Sequence, residues 1–167
     1  MFSRAGRIVS PYRLLLPLCF GVFIAADDMT VVVTLLPDMM ADLRVGVSEL
    51  DRASWSITGF LIGFTAAMPL MGRISDRAGY RLAFLAALGV FTLGSALVAM
   101  SPQIPGWLFG GPPEFNWLVG MRVFQAIGGG AIIPISIAAV NELVDSRHRA
   151  IAYGLIGASA EAGGVFG

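Results

Sequence analysis

Five long apolar stretches constrain this chain more than any other feature of its sequence. Of its 167 residues, 56% are hydrophobic and 13% are charged, against about 45–50% apolar and about 25% charged residues in an ordinary soluble domain. Each stretch approaches the roughly 20 residues that a helix needs to cross a bilayer. The predicted spans are residues 14–36, 54–71, 82–100, 117–140 and 150–167. We therefore predict an all-α membrane protein.

The arginines predict how these spans are oriented, because positive residues concentrate in cytoplasmic connections. The connections on one side hold Arg4, Arg7, Arg13, Arg73, Arg77, Arg81, Arg147 and Arg149. The opposite side has only Arg44 and Arg52, which acidic residues dilute. We predict a multi-pass inner-membrane protein with a cytoplasmic N-terminus. The first apolar stretch could be a signal peptide, but four further spans favour an uncleaved helix.

Composition also excludes several functions. The net charge is zero and the basic residues form no dense patch, so binding to nucleic acid is not expected. The chain has no lysine, one cysteine (Cys19) and one histidine (His148), which excludes a P-loop and a Cys/His metal site. An intramembrane enzyme would need a Ser/His, His/Glu or Cys/His arrangement that the sequence does not offer. We predict no enzyme activity, no metal and no cofactor.

Two adjacent acids, Asp27 and Asp28, lie near the middle of the first span. An acid at the centre of a membrane helix costs about 2.5–3.5 kcal/mol on the translocon scale and usually faces a cavity or a partner. Adjacent helical residues point about 100° apart, so we expect only one of the two to face a central cavity. The alternative is a loop that divides two shorter segments.

The fourth span begins with Arg122 and continues with Gln125, Gly128 and Gly129. Spacings of three and four residues place Arg122, Gln125 and Gly129 on one helix face. A buried arginine needs acceptors, and the candidates are a carboxylate of the first span or backbone carbonyls. The alternative is that Arg122 extends to the outer interface.

The fifth span contains Glu161 among small residues. Gly154, Gly157 and Gly164 share its helix face, which suits close helix packing. Gly163 and Gly167 form a G-x-x-x-G pair, which by itself indicates packing more than function.

The connection after the second span reads GRISDRAGYR, in which Gly72 and Gly79 bracket Asp76 and Arg77, and Arg81 follows. The glycines permit a tight reversal, and the charges can pair across helix ends and separate when the helices move.

Together these segments resemble the major facilitator superfamily. The connection GRISDRAGYR is similar to its signature between helices two and three, with Tyr80 replacing a basic residue. RVFQAIGGGAIIP is similar to the helix-four signature of proton antiporters, with Ala126 replacing a glycine. DDMTVVVTLLP is similar to the helix-one signature of drug:proton antiporters with fourteen spans, with Asp28, Thr30 and Pro37 in place. GLIGASAEAGGVFG resembles the helix-five antiporter signature but stops before its expected end.

A narrower likeness is to the mycobacterial exporters of triacylglycerides, which act with a periplasmic lipoprotein. It rests on residues 54–79, on VVVT after Asp28 and on Glu161. The resemblance implies that Asp28 and Glu161 serve proton coupling, that Arg122 and Gln125 modulate it, and that Asp76 and Arg77 stabilise the outward-facing state. General multidrug exporters share much of this sequence, so drugs remain an alternative to lipids and other amphiphiles.

The resemblance implies a bundle of twelve or fourteen helices, of which this chain holds the N-terminal five. Because the chain stops inside the fifth span, we expect a fragment of a proton-coupled exporter. The alternative function is a non-transporting membrane partner or a truncated paralogue, which would use the same glycines but need no titrating acid.

Overall fold

The computed structural model describes residues 11–42, 50–101 and 115–167, and these residues form helices and no strand. The helices are α1 (Pro11–Asp42), α2 (Leu50–Ala78), α3 (Tyr80–Ala99), α4 (Phe115–Leu143) and α5 (Ser146–Phe166). The predicted all-α class is confirmed. Arg4, Arg7 and Arg44, on which part of the orientation prediction rests, lie outside the described residues.

The helices extend beyond the apolar stretches, because backbone hydrogen bonding continues into polar flanks that a hydropathy pattern leaves out. The extension matters most at α2, which we expected to end near residue 71 and which ends at Ala78. The connection to α3 is then Gly79 alone, and its φ of 87° is a backbone conformation that favours glycine. Asp76 and Arg77 therefore belong to the last turn of a helix and not to a loop.

Helix α4 lies between α2 and α3, and three consecutive glycines allow this. A Cβ atom at Gly128 would collide with the backbone of Phe91 on α3, and one at Gly130 would collide with the backbone of Phe64 on α2. At Gly129 a Cβ atom would lie 3.3 Å from the Phe91 ring. Small residues at such positions are the usual means by which membrane helices approach closely.

Helix α1 packs along α5, again through glycine. A Cβ atom at Gly163 would meet the backbone of Phe23 and Asp27, and one at Gly167 would meet the Asp27 carbonyl. The Thr30 hydroxyl donates to the Gly164 carbonyl at 3.2 Å. The largest buried apolar cluster joins these two helices to α3 and α4, through side chains that include Val22, Phe84, Ile132, Ile135 and Ile156.

Gly154 and Gly157 differ from Gly163 and Gly167. Within the described part of the chain, neither has a neighbouring atom within 4 Å of a Cβ position. Both share the helix face of Glu161, which is exposed. The packing expected of these two glycines remains a prediction.

Among the described residues, α1 to α4 are long and apolar enough to cross a membrane, and α5 is not in that group. Four of the five predicted spans therefore meet this requirement. The fifth is a helix, as expected, and its crossing of the membrane remains a prediction.

Candidate functional site

Asp28 of α1 and Arg122 of α4 form an ion pair within the bundle. The Arg122 Nη1 atom donates to Asp28 Oδ2 at 3.0 Å. The Arg122 side chain is 2% exposed and the Asp28 side chain is 20% exposed. Arg122 is thus directed into the bundle and does not extend toward an interface. The carboxylate is thus more accessible than the guanidinium.

Gln125 closes a ring of hydrogen bonds around this ion pair. Its Oε1 atom accepts from Arg122 Nη1 at 2.7 Å, and its Nε2 atom donates to Asp28 Oδ1 at 2.8 Å. The three-residue spacing on α4 places the two side chains on the same face, as the sequence predicts. Each of these three polar side chains is bonded to the other two.

A serine of α3 completes the network, and sequence reasoning missed it. Gln125 Nε2 donates a second hydrogen bond to Ser95 Oγ at 2.7 Å, and Ser95 Oγ donates to the Phe91 carbonyl at 3.0 Å. Serine is common in membrane helices, where its hydroxyl often bonds to its own helix. No pattern in the sequence distinguishes Ser95 from such a residue.

An aromatic ring from α2 covers the guanidinium. The Arg122 Cζ atom lies 4.4 Å from the centroid of the Phe60 ring, within range of a cation–π interaction. Phe60 stacks on Phe64 with 5.8 Å between ring centroids. The Arg122 Nε atom has no hydrogen-bond partner among the described residues. The cation is thus held by an acid, an amide and an aromatic face, each from a different direction.

Glycines on the neighbouring helices allow the site to form. A Cβ atom at Gly94 of α3 would lie 2.6 Å from the Gln125 Cα atom, and one at Gly63 of α2 would lie 3.0 Å from the Val123 carbonyl oxygen. Larger residues at either position would separate α4 from its neighbours. The side chains of Gln125 and Ser95 would then no longer meet.

The charge of Asp28 balances the charge of the buried Arg122 guanidinium. In a low-dielectric interior the attraction between Asp28 and Arg122 is strong, and removing one partner charge leaves the other poorly compensated. A proton on the Asp28 carboxylate would cancel that attraction.

The other two acids of the predicted site lie elsewhere. Asp27 is half-buried, its backbone faces Gly163 and Gly167, and its side chain makes no hydrogen bond or ion pair in the described part of the chain. Glu161 of α5 is exposed and likewise has no such partner among the described residues. The structure thus joins Asp28, Arg122 and Gln125 but does not bring Glu161 to them.

A second polar cluster lies where α2, α3 and α4 end or begin. The Tyr80 hydroxyl lies 3.0 Å from Glu142 Oε2 and 3.2 Å from Asp76 Oδ1. With one proton to donate, it bonds to one of these carboxylates at a time. Sequence reasoning treated Tyr80 as a departure from a motif and did not consider Glu142.

The remaining residues of the predicted gating connection make fewer contacts. Arg77 and Arg81 are exposed and form no ion pair with another described residue. The Gly72 carbonyl accepts from the buried Ser75 hydroxyl at 2.7 Å, within the same helix. Of the predicted charges, Asp76 alone is joined to another helix here.

Comparison with known proteins identifies the family. Residues 18–167 match the Major Facilitator Superfamily. The chain therefore belongs to this superfamily of membrane transporters. Family membership, together with four helices able to span a bilayer, makes it part of a multi-pass membrane protein and not an enzyme. The resemblance stated from the sequence is confirmed.

Several individual proteins similar to this chain are named as triacylglyceride transporters. The chain is 37% identical over 167 residues to a probable triacylglyceride transporter of Mycobacterium leprae, all of this chain and 30% of that protein. It is 37% identical over 147 residues to a triacylglyceride transporter of Mycobacterium tuberculosis, 88% of this chain and 27% of that protein. A triacylglyceride transporter of Mycolicibacterium smegmatis is 35% identical over 147 residues, covering 88% of this chain and 24% of that protein. The chain thus spans less than a third of the length of these relatives.

Proposed function

We propose that the whole protein is a proton-coupled secondary transporter that exports lipids or other amphiphiles by alternating access. The observation that supports this most directly is the buried network of Asp28, Arg122 and Gln125, in which a partly accessible carboxylate neutralises a buried cation. Ionisable residues inside membrane helices usually mark proton or ion pathways. A purely structural module would not need a titratable acid at this position.

In this mechanism Asp28 binds the proton, and Arg122 and Gln125 set the charge state it prefers. Ionised Asp28 accepts from both residues, at 3.0 Å and 2.8 Å. Protonated Asp28 loses its attraction for Arg122, so the two protonation states favour different packing of α1 against α4. The driving force is about 2.3 kcal/mol for each charge that moves through 100 mV. Glu161 is proposed as a second coupling acid, because it is an ionisable residue on the exposed face of α5.

The proposed substrate class rests on an apolar groove and on the relatives. The groove runs between α2 and α4 with a volume of about 550 Å³, and its walls include Trp55, Ile62, Leu70, Val123 and Ile127. Pockets of roughly 300–1,000 Å³ hold drug-sized ligands. Three similar proteins are named as transporters of triacylglycerides. We therefore favour a lipid, and a periplasmic lipoprotein partner remains a prediction.

The proposed orientation has a cytoplasmic N-terminus in the inner membrane. The bond between Tyr80 and Glu142 brings the link after α2 close to the end of α4, so Arg73, Arg77 and Arg81 lie at the same end of the bundle as Arg147. Positive residues at one end favour the cytoplasm for that end. Replacing Arg147 with cysteine in a Cys19→Ala background tests this. Labelling of intact cells by a membrane-impermeant maleimide would contradict the orientation.

The coupling role is tested with the whole protein in proteoliposomes, by following lipid export and pH together. Asp28→Asn is expected to abolish proton movement coupled to the substrate. Asp27→Asn is the matched control, because this adjacent acid lies outside the network. If Asp28→Asn retained coupled export, the role assigned to Asp28 would be wrong. Glu161→Gln tests the second acid, and unchanged coupling would remove it from the mechanism.

A further inference from the structure

The Ser95 hydroxyl accepts a hydrogen bond from the Gln125 amide. Its proton is directed to the Phe91 carbonyl at 3.0 Å, within its own helix. A serine hydroxyl has one proton and two lone pairs, so while it donates to Phe91 it can only accept from Gln125. It requires an N–H group from the amide, which Nε2 supplies at 2.7 Å.

The Arg122 side chain needs an acceptor from the same amide, whereas Ser95 needs a donor. A guanidinium has donors and no acceptor, so it requires the Gln125 carbonyl oxygen, which lies 2.7 Å from Nη1. A reversed amide would place N–H groups against the guanidinium and an oxygen against a lone pair of Ser95. Arg122 therefore requires this orientation of Gln125, and Ser95 stabilises it, because a reversed amide would cost the Ser95 hydroxyl its bond to Phe91.

The orientation of the Gln125 amide determines whether Asp28 faces an N–H group or an oxygen atom. With Nε2 held toward α1, Gln125 donates to Asp28 Oδ1 at 2.8 Å and stabilises the ionised carboxylate. An amide turned the other way would present an oxygen, which repels a carboxylate and accepts from a carboxylic acid. The amide orientation thus favours one protonation state of Asp28 over the other.

From this geometry we propose that Ser95 is a positioning residue that holds the Gln125 amide and so sets the pH at which Asp28 takes up a proton. The inference rests on the proposed function, in which Asp28 is the proton-binding group. Gly94 supports it, because the absence of a side chain there lets α3 approach Gln125 closely enough for the bond to form. Ser95 acts through Gln125 and does not itself touch Asp28.

Other charged groups near Asp28 are few in the described part of the chain. Arg122 faces it from α4, and Asp27 adjoins it on α1. Glu161 on α5 forms no ion pair with it. The charges of α2 and α3 lie at 51–52 in the first turn of α2, and at 73–77 and 81 near the link between these helices. Arg122 is therefore the main charge that stabilises ionised Asp28, and the hydrogen bond from Gln125, which Ser95 positions, adds to that stabilisation.

The test follows the titration of Asp28 in the purified whole protein in lipid. Infrared difference spectra of wild type and of Asp28→Asn identify the carboxyl band, and its midpoint pH is measured in each variant. Ser95→Ala is expected to raise the midpoint by about half a pH unit, because a less restrained amide stabilises the anion less. Ser95→Thr retains the hydroxyl and is expected to keep the wild-type midpoint.

Two comparisons separate positioning from a general structural effect. Ser136→Ala removes a fully buried hydroxyl of α4 that donates to the Ile132 carbonyl of its own helix, and it is expected to leave the midpoint unchanged. In a Gln125→Met background, Ser95→Ala is expected to cause no further shift, because its effect passes through the amide.

An unchanged midpoint in Ser95→Ala, or the same shift with and without Gln125, would overturn the inference. These outcomes differ from failure of the proposed function. If Asp28 titrates but export is not coupled to protons, the proposed function fails, while the midpoint still decides the role of Ser95. If no Asp28 band titrates in wild type, both fail.

Discussion

Two polar clusters join helices in this protein, and they differ in burial. In the first half of α4, Arg122 and Gln125 bond to Asp28 of α1 and Ser95 of α3, and both α4 side chains are at most 2% exposed. At the link between α2 and α3, the Tyr80 hydroxyl donates to either an acid of α2 or an acid of α4 at an exposed position. The buried cluster connects three helices at once, whereas the exposed cluster has one proton to share between two carboxylates.

This difference in burial predicts which polar residues can be replaced without a large loss of stability. In the buried cluster, loss of a partner of Arg122 or Gln125 leaves a buried polar group that water does not reach, so the penalty is large. In the exposed cluster water replaces a lost partner and the penalty is small. The central network is therefore expected to depend strongly on its complete set of members, and the cluster at the link is expected to tolerate substitution.

Arg122→Met should have the largest effect. It leaves Asp28 without its counter-charge, and we expect a loss of about 3–5 kcal/mol in the free energy of unfolding. Adding Asp28→Asn should recover most of that loss, because no unpaired charge remains. Denaturant titration of the whole protein in mixed micelles measures both, with the exposed Arg73→Met as control. Equal losses in the single and double variants would show that the pair is not coupled.

Gly130→Ala should come next, because the new methyl group collides with the backbone of Phe64 and forces α2 from α4. We expect a loss of about 1–3 kcal/mol. Gly120→Ala is the matched control on the same helix, where a Cβ atom has no neighbour within 4 Å among the described residues. It should be neutral or stabilising by up to about 1 kcal/mol, since alanine favours helix. Equal thermal stability of the two variants would contradict the close approach.

Tyr80→Phe should have a small effect, because it removes only the hydroxyl at the exposed cluster. The expected loss is at most about 1 kcal/mol in the same unfolding measurement. Tyr153→Phe serves as control, since its hydroxyl makes no hydrogen bond to another described residue. A loss as large as that of Arg122→Met would mean that exposure does not separate the two clusters.

Glu142→Gln should have the smallest effect, because the amide oxygen still accepts from Tyr80. Its unfolding free energy is expected to stay within about 0.5 kcal/mol of wild type. Comparison with Tyr80→Phe separates the contribution of the Glu142 charge from that of the hydrogen bond. A larger effect of Glu142→Gln than of Tyr80→Phe would indicate that charge, and not the hydrogen bond, stabilises this end of the bundle.

Much of the central site was predictable from the sequence, because helical spacing relates residues within one helix. The spacing of Arg122 and Gln125 predicted a shared face, and a carboxylate of the first span was one of two acceptors considered for the buried arginine. Helical spacing did not choose between Asp27 and Asp28, because that choice depends on the rotation of α1 about its axis, and only the family resemblance favoured Asp28. Packing against Gly163 and Gly167 of α5 sets that rotation.

The all-α class, the apolar spans and the family could be predicted from the amino-acid sequence, because hydropathy and helical period are local properties of the chain. Four further features became known only from the tertiary structure. Ser95 bonds to Gln125, Phe60 covers Arg122, Tyr80 bonds to Glu142, and α2 continues through Asp76. The first three are contacts between residues 30 or more positions apart. Such contacts depend on how the helices approach one another, and the glycines of α3 and α4 set that distance where no local pattern can.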